Sequence, residues 1–260
     1  AGRTPTLEEV EAFLADKSES SAKRSRIMRS LLDSPEYPAY WASLWRKAML
    51  QGAGGGGQRD LALRNFQNWL RQSLAANMPW DTLVRTMITA NGEVKLNDLD
   101  GAHPASYLIA FENDLNNLAG NLSRATLGIE IQCAQCHDHK TEHWKQKDFQ
   151  AFAAIFRGIR TGRVSNNPAD AGFQTFRIEE LPANFINPRR LKNMEERAKD
   201  NPELKERLAL FQVTPKVLDG REITATQASA MREELAKWLV SPQNDWFSKA
   251  AVSRVWGQLF

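Results

Sequence analysis

The sequence places both of its cysteines, two among 260 residues, inside one pentapeptide, Cys133-Ala134-Gln135-Cys136-His137. Two thiols three positions apart can each form a thioether to a vinyl group on one porphyrin edge. A histidine directly after the second thiol is then held under the iron as its proximal axial ligand, the attachment pattern of a c-type haem. The same stretch admits other chemistry. Cys133, Cys136, His139 and His143 spell C-x2-C-x2-H-x3-H, four ligands for a tetrahedral zinc, although zinc sites usually separate their ligand pairs by a longer loop. A C-x-x-C pair can cycle between dithiol and disulfide, but the strand-motif-helix setting of such pairs is not evident in the flanking residues. A structural disulfide, or two buried thiols, leaves the adjacent histidine without a role. One covalent haem c on Cys133, Cys136 and His137 uses all three residues; zinc is the alternative cofactor.

A haem iron has a sixth position to account for. His139 lies two residues beyond His137, a reach of at most ~7 Å, too short to pass around a porphyrin edge. It suits a propionate contact, zinc ligation or a hydrogen bond that orients the loop. His103, a whole helix upstream of the motif, has the reach to return to the far face, and His143 has it only with the chain nearly extended; both are candidate distal ligands. Met78 and Met87 are further candidates, each equally suited to a core position. An open sixth position would favour ligand binding or peroxidase-like chemistry. Arg124, Arg157 and Arg160 suit either propionates or solvent.

The elements that must position these residues read mainly as helices. Thr6-Leu7-Glu8-Glu9 is a capping box opening a short helix. Residues 23–32 place Ile27, Leu31 and Leu32 at helical spacing, and Ser34-Pro35-Glu36-Tyr37-Pro38 separates them from a second helix running from Tyr40 to Leu50. Residues 52–57, nearly all glycine, lack the Lys and Ser/Thr of a phosphate-binding loop and read as a flexible surface loop. Residues 60–76 carry Leu63, Phe66, Trp69, Leu70 and Leu74 on one face. Another helix follows Met78-Pro79-Trp80-Asp81, and residues 91–103 are polar. One long helix is expected over 105–127, stopped by Gly128 and delivering the chain to the motif. A short helix follows at 151–156. Residues 158–190 read as irregular with at most one or two short strands around 160–185, residues 191–210 as a charged helix or helical pair, and 225–240 and 248–260 as two amphipathic helices. The fold class is therefore mainly α, an irregular multi-helix domain with long loops.

Composition narrows the function classes. At 42% hydrophobic residues the chain can bury a sizeable core, and a net charge of +3 with scattered basic residues makes nucleic acid a poor partner. No apolar run approaches the ~20 residues needed to span a bilayer. The chain opens Ala1-Gly2-Arg3-Thr4-Pro5, which reads as a mature product or an excised piece, its signal peptide removed or lying outside the chain. Acidic pairs such as Glu179-Glu180 and Glu195-Glu196 read as ordinary solvated charges rather than a paired-carboxylate site.

Residues 125–140, with Trp144, Gln146, Lys147, Asp148 and Phe149 after them, resemble the core of the planctomycete-type secreted cytochrome c-like domain. Residues 6–14 and 32–37, with Trp41 and Trp45, are similar to its N-terminal part, and residues 235–242 with 252–256 look like the opening of the domain usually fused behind it. The resemblance implies an exported helical domain with Cys133, Cys136, His137 and His139 as its motif residues, and it supplies no reaction. His103, His143 and the 54–57 glycine run depart from the family pattern, and Ser253 stands where Asn is usual.

Together these readings divide the chain into a helical cytochrome c-like domain (1–160), an irregular, charged helical extension (161–225) and the beginning of a second domain (226–260). They assign a periplasmic or secreted haem-binding module for electron transfer, more a redox module than a catalyst by itself, partnered by a redox protein or its fused C-terminal domain. The rival assignment is a non-redox structural or binding module of a secreted protein, with zinc or a disulfide at Cys133 and Cys136.

Overall fold

Local capping chemistry starts the chain as expected. The Thr6 hydroxyl accepts from the Glu9 amide at 3.2 Å while the Glu9 carboxylate accepts from the Thr6 amide at 2.8 Å, so helix α1 (Leu7–Ala15) begins with two of its free amides satisfied. The structure, a computed structural model, describes residues 2–51, 53, 57–164, 174–182, 188–199, 201, 208 and 213–260. Helices α2 (Ser20–Leu32), α3 (Glu36–Met49), α4 (Gln58–Ala75) and α5 (Trp80–Thr89) follow. Pro38 lies in the first turn of α3, where its missing N–H costs no intrahelical bond, so the helix starts earlier than the proline-rich stretch suggests. Most of the 52–57 loop lies outside the described residues.

The long helix expected over 105–127 is two helices, α6 (Ser106–Ile109) and α7 (Leu115–Leu127). The chain turns between them at Glu112 and Asn113, both with positive φ, and Asp114 caps α7 by accepting from the Asn117 amide at 3.1 Å. Asn and Asp tolerate such turns because their side chains can bond the local backbone. Gly128 ends α7 in the left-handed conformation, φ 69°, a backbone setting glycine adopts without a Cβ penalty. Beyond the motif come α8 (Gln146–Ala153), a short 3₁₀ turn (Ala154–Phe156), α9 (Pro188–Ala198), α10 (Ala228–Leu239) and α11 (Asp245–Leu259). Much of the stretch expected to be helical over 191–210 lies outside the described residues.

Among the described residues the protein is mainly helical, with one small antiparallel sheet in the order β1-β3-β2. Strands β2 (Ile159–Arg163) and β3 (Thr175–Glu180) lie where at most one or two short strands are expected, around 160–185. Strand β1 (Glu93–Lys95) joins them from the segment read as polar loop, pairing Val94 with Phe176. Only Val94 of its three residues is buried, too little alternation for a sequence pattern to register.

One continuous hydrophobic cluster links α3, α4, α5, α6, α7, α8, α10 and the sheet. Its centre is aromatic: Phe66, fully buried, stacks on Trp69 at 5.6 Å and meets Tyr107 at 5.5 Å. Met231, Leu235, Trp238, Leu239 and Phe247, from the segment read as opening a second domain, belong to this same cluster. By contrast, α1 and α2 bury no residue. No helix among the described residues is long and apolar enough to cross a membrane.

Candidate functional site

The C-x-x-C-H motif begins five positions after Gly128. The Ser123 hydroxyl donates to the Ile129 carbonyl at 2.8 Å, tying the outgoing chain to α7. Residues Gln132–Gln135 form a 3₁₀ turn whose Ala134 is fully buried, while Cys133 and Cys136 on either side are exposed. Cys133 lies within the turn and Cys136 caps its end, with the buried Ala134 between them. Both cysteines are free thiols.

His137 follows with its imidazole exposed, and its Nδ1 lies 2.8 Å from the Asp138 carbonyl. A carbonyl oxygen can only accept, so the neutral ring that makes this bond carries its proton on Nδ1 and leaves the lone pair on Nε2. This is the protonation pattern a metal-binding histidine needs, with the second ring nitrogen donating to a fixed acceptor. Asp138 is itself held: Oδ1 accepts from the Gln146 amide at 2.9 Å, and Oδ2 pairs with Lys145 Nζ at 3.3 Å. The Gln146 amide and then Lys145 draw its carboxyl below the usual range. The Gln146 side chain reaches back, its Nε2 lying 3.3 Å from both the Gln135 and Cys136 carbonyls.

The remaining histidines are placed separately. His139 is half-buried, and its Nδ1 accepts from the Glu142 amide at 3.0 Å and the Thr141 amide at 3.3 Å, so it organises the loop after the motif. Its own amide donates to the Trp144 carbonyl at 2.8 Å. His143 lies against the Trp144 ring with centroids 4.1 Å apart. His103, half-buried before α6, accepts from the Ala105 amide at 3.1 Å, and burial pulls its pKa down. Met87 is fully buried in the core and Met78 packs against it. Among the described residues no three His, Cys, Asp or Glu side chains gather into a group that could hold a metal ion, so the four zinc ligands suggested by spacing are not assembled.

The arginines considered for propionates donate to main-chain carbonyls. Arg124 reaches the Ala48 carbonyl at 2.7 Å, in the last turn of α3 where a cation is favoured. Arg160 bonds the Ile159 carbonyl at 2.7 Å. Arg157 lies 3.5 Å from the Val213 carbonyl, and burial lowers its pKa to about 10.

Two residues that brace the motif, Gln132 and Trp144, lie within the stretch that carries the family resemblance, which assigns them no role. Gln132 lies against Gly120 of α7, where a Cβ would come within 2.3 Å of its Cγ. Gln132 also contacts Asn117 Oδ1 at 3.4 Å, an oxygen that Asn121 Nδ2 reaches at 2.7 Å. Trp144 is buried and meets Trp246 of α11 edge-on at 6.4 Å. The only local signal for such supports is a polar or small residue at a position where helix periodicity puts the core.

The turn carries two free, exposed thiols followed by an imidazole whose Nδ1 meets a carbonyl, the residue types that a covalently attached haem would need. Fold and motif thus define a mainly helical domain that presents a C-x-x-C-H turn at its surface. Residues 1–161 match the family model PSCyt2, described as a protein of unknown function (DUF1549), and the chain belongs to that family. No curated protein and no solved structure matches the chain.

Proposed function

We propose that this protein is an extracytoplasmic, periplasmic or secreted, c-type haem-binding domain that transfers electrons to a redox partner or to a domain fused behind it. The observation that carries this reading is the His137 ring, whose Nδ1–H is committed to the Asp138 carbonyl and whose Nε2 is free beside two exposed thiols. Cys133 and Cys136 would hold the haem through thioethers and His137 Nε2 would ligate its iron; the bound iron would supply one-electron chemistry. The chain's part is to present the thiols together, fix the ring's tautomer and keep the turn rigid through the buried Ala134. His103 and His143 remain the candidate distal ligands, while His139, with Nδ1 engaged by two amides, serves the loop.

Export follows from the chemistry, because haem is attached to C-x-x-C-H outside the cytoplasm. Intact mass spectrometry of the protein made in a host able to attach haem c tests the reading. The wild type should gain the mass of one haem and the double variant Cys133→Ser, Cys136→Ser none. A wild type without that gain, carrying zinc or a Cys133–Cys136 disulfide instead, would establish the structural or binding module.

A further inference from the structure

Three groups around the motif are tied to one another in a closed circuit. The Asp138 carbonyl accepts from His137 Nδ1 at 2.8 Å, and the Asp138 carboxylate accepts from the Gln146 amide at 2.9 Å. The Gln146 side chain then spans back to the Gln135 and Cys136 carbonyls, 3.3 Å from each. Gln146 is the first residue of α8, whose Phe149 and Phe152 are buried, so the circuit is anchored to an element that cannot drift. Lys145 Nζ adds a charge on the outer Asp138 oxygen at 3.3 Å. Nothing else among the described hydrogen bonds of His137 orients its ring.

From this geometry we infer that Gln146 and Asp138 are the positioning pair for the axial ligand, a clamp that holds the motif turn against α8 and fixes His137 in its Nδ1–H form with Nε2 exposed. The inference rests on the haem reading for its purpose, but the clamp exists in the haem-free protein. Gln146 acts twice. Its amide orients the residue whose carbonyl accepts the His137 Nδ1–H bond, and its side chain holds the two carbonyls that precede His137 in the chain. Without the side chain, the turn bearing Cys136 is free to rotate relative to Asp138, and the ring can release the carbonyl and take up either tautomer. Supports of this kind, which touch a ligand rather than the metal, typically cost about 10- to 100-fold in metal affinity when removed.

The test uses the full haem-free chain with both thiols reduced, and reads the ring nitrogens of His137 by ¹⁵N NMR. Wild type is expected to show the Nδ1–H form in excess. Gln146→Glu, which cannot donate to the two carbonyls when ionised, and Gln146→Ala, which removes the contacts without adding charge, should both lose that excess while circular dichroism shows an unchanged helical fold. If one variant fails to fold, the other carries the measurement. In haem-loaded protein the same variants should let added imidazole displace His137 at about tenfold lower concentration. An Nε2–H wild-type ring, or a tautomer indifferent to both variants, overturns the clamp. A wild type that shows the Nδ1–H form but attaches no haem supports the clamp and overturns the haem reading, so the two claims fail separately.

Discussion

Glu9 accepts from the Arg3 guanidinium and the Thr6 amide at once, and these bonds, the Arg3 one foremost, lower its pKa to about 2. A carboxylate whose pKa is lower folded than unfolded adds stability above its unfolded value, and that contribution is lost as pH falls through the folded one. Acidification from the ordinary carboxylate range toward pH 2 should therefore release the start of α1, and an NMR titration of the Glu9 side chain should give a midpoint near 2; a midpoint near 4.5, the unperturbed value, contradicts it. At this scale the sequence was informative where chemistry is local. The Thr6–Glu9 box depends on neighbours within three positions and stands in the structure as read. The support behind the motif turn was not legible, because Gln146 reaches the Gln135 and Cys136 carbonyls from across a loop that only folding closes.

The motif turn is seated by α7 as much as by its own residues. Gly120 leaves room for Gln132, and a methyl group there would meet Gln132 Cγ at 2.3 Å. Alanine in place of glycine ordinarily favours a helix by about 1 kcal/mol, while overpacking a filled site costs about 1–3 kcal/mol. Gly120→Ala is expected to lower stability by up to about 2 kcal/mol in a denaturant melt, against the propensity trend. A stabilised variant would mean that Gln132 does not need the space. Elements, more than residues, were misjudged where two turn signals competed with periodicity. Leu108, Phe111, Leu115 and Leu118 keep helical spacing through the break, so the pattern alone joins α6 to α7 across the Asn113-Asp114 pair that separates them. Strand β1 was missed for the opposite reason, since its pairing with β3 lies some 80 positions away, Val94 opposite Phe176, and no local pattern encodes it.

Across the whole molecule, one buried charge ties α10 to the end of α5 and to β3, beside the apolar residues that these elements share with the core. Arg232 of α10, with no exposed side-chain surface, donates to the Ile88 and Ala90 carbonyls at 2.8 Å each and pairs with Glu180 of β3. Removing one partner of a buried pair leaves the other charge uncompensated, at about 3–5 kcal/mol. Glu180→Ala should lose about that much in chemical denaturation, and a loss below ~1 kcal/mol would show the Arg232 charge satisfied by the two carbonyls alone. The same fastening reaches the motif, because Trp144 meets Trp246, which lies 6.5 Å from Trp238, whose Nε1 donates to Asp219 at 2.7 Å. Residues expected to open a separate domain thus share a core with the motif-bearing helices. Composition and amphipathic stripes made the helical class legible, but which stripes meet is a matter of tertiary packing that they do not specify.

The central claim, covalent haem on Cys133 and Cys136, is tested most directly by a pyridine haemochrome spectrum of the denatured protein purified from a host able to attach haem c. A c-type band that survives acid-acetone extraction, absent when both cysteines are replaced by serine, is the expected result. Colourless protein, or pigment that the extraction removes, would contradict it.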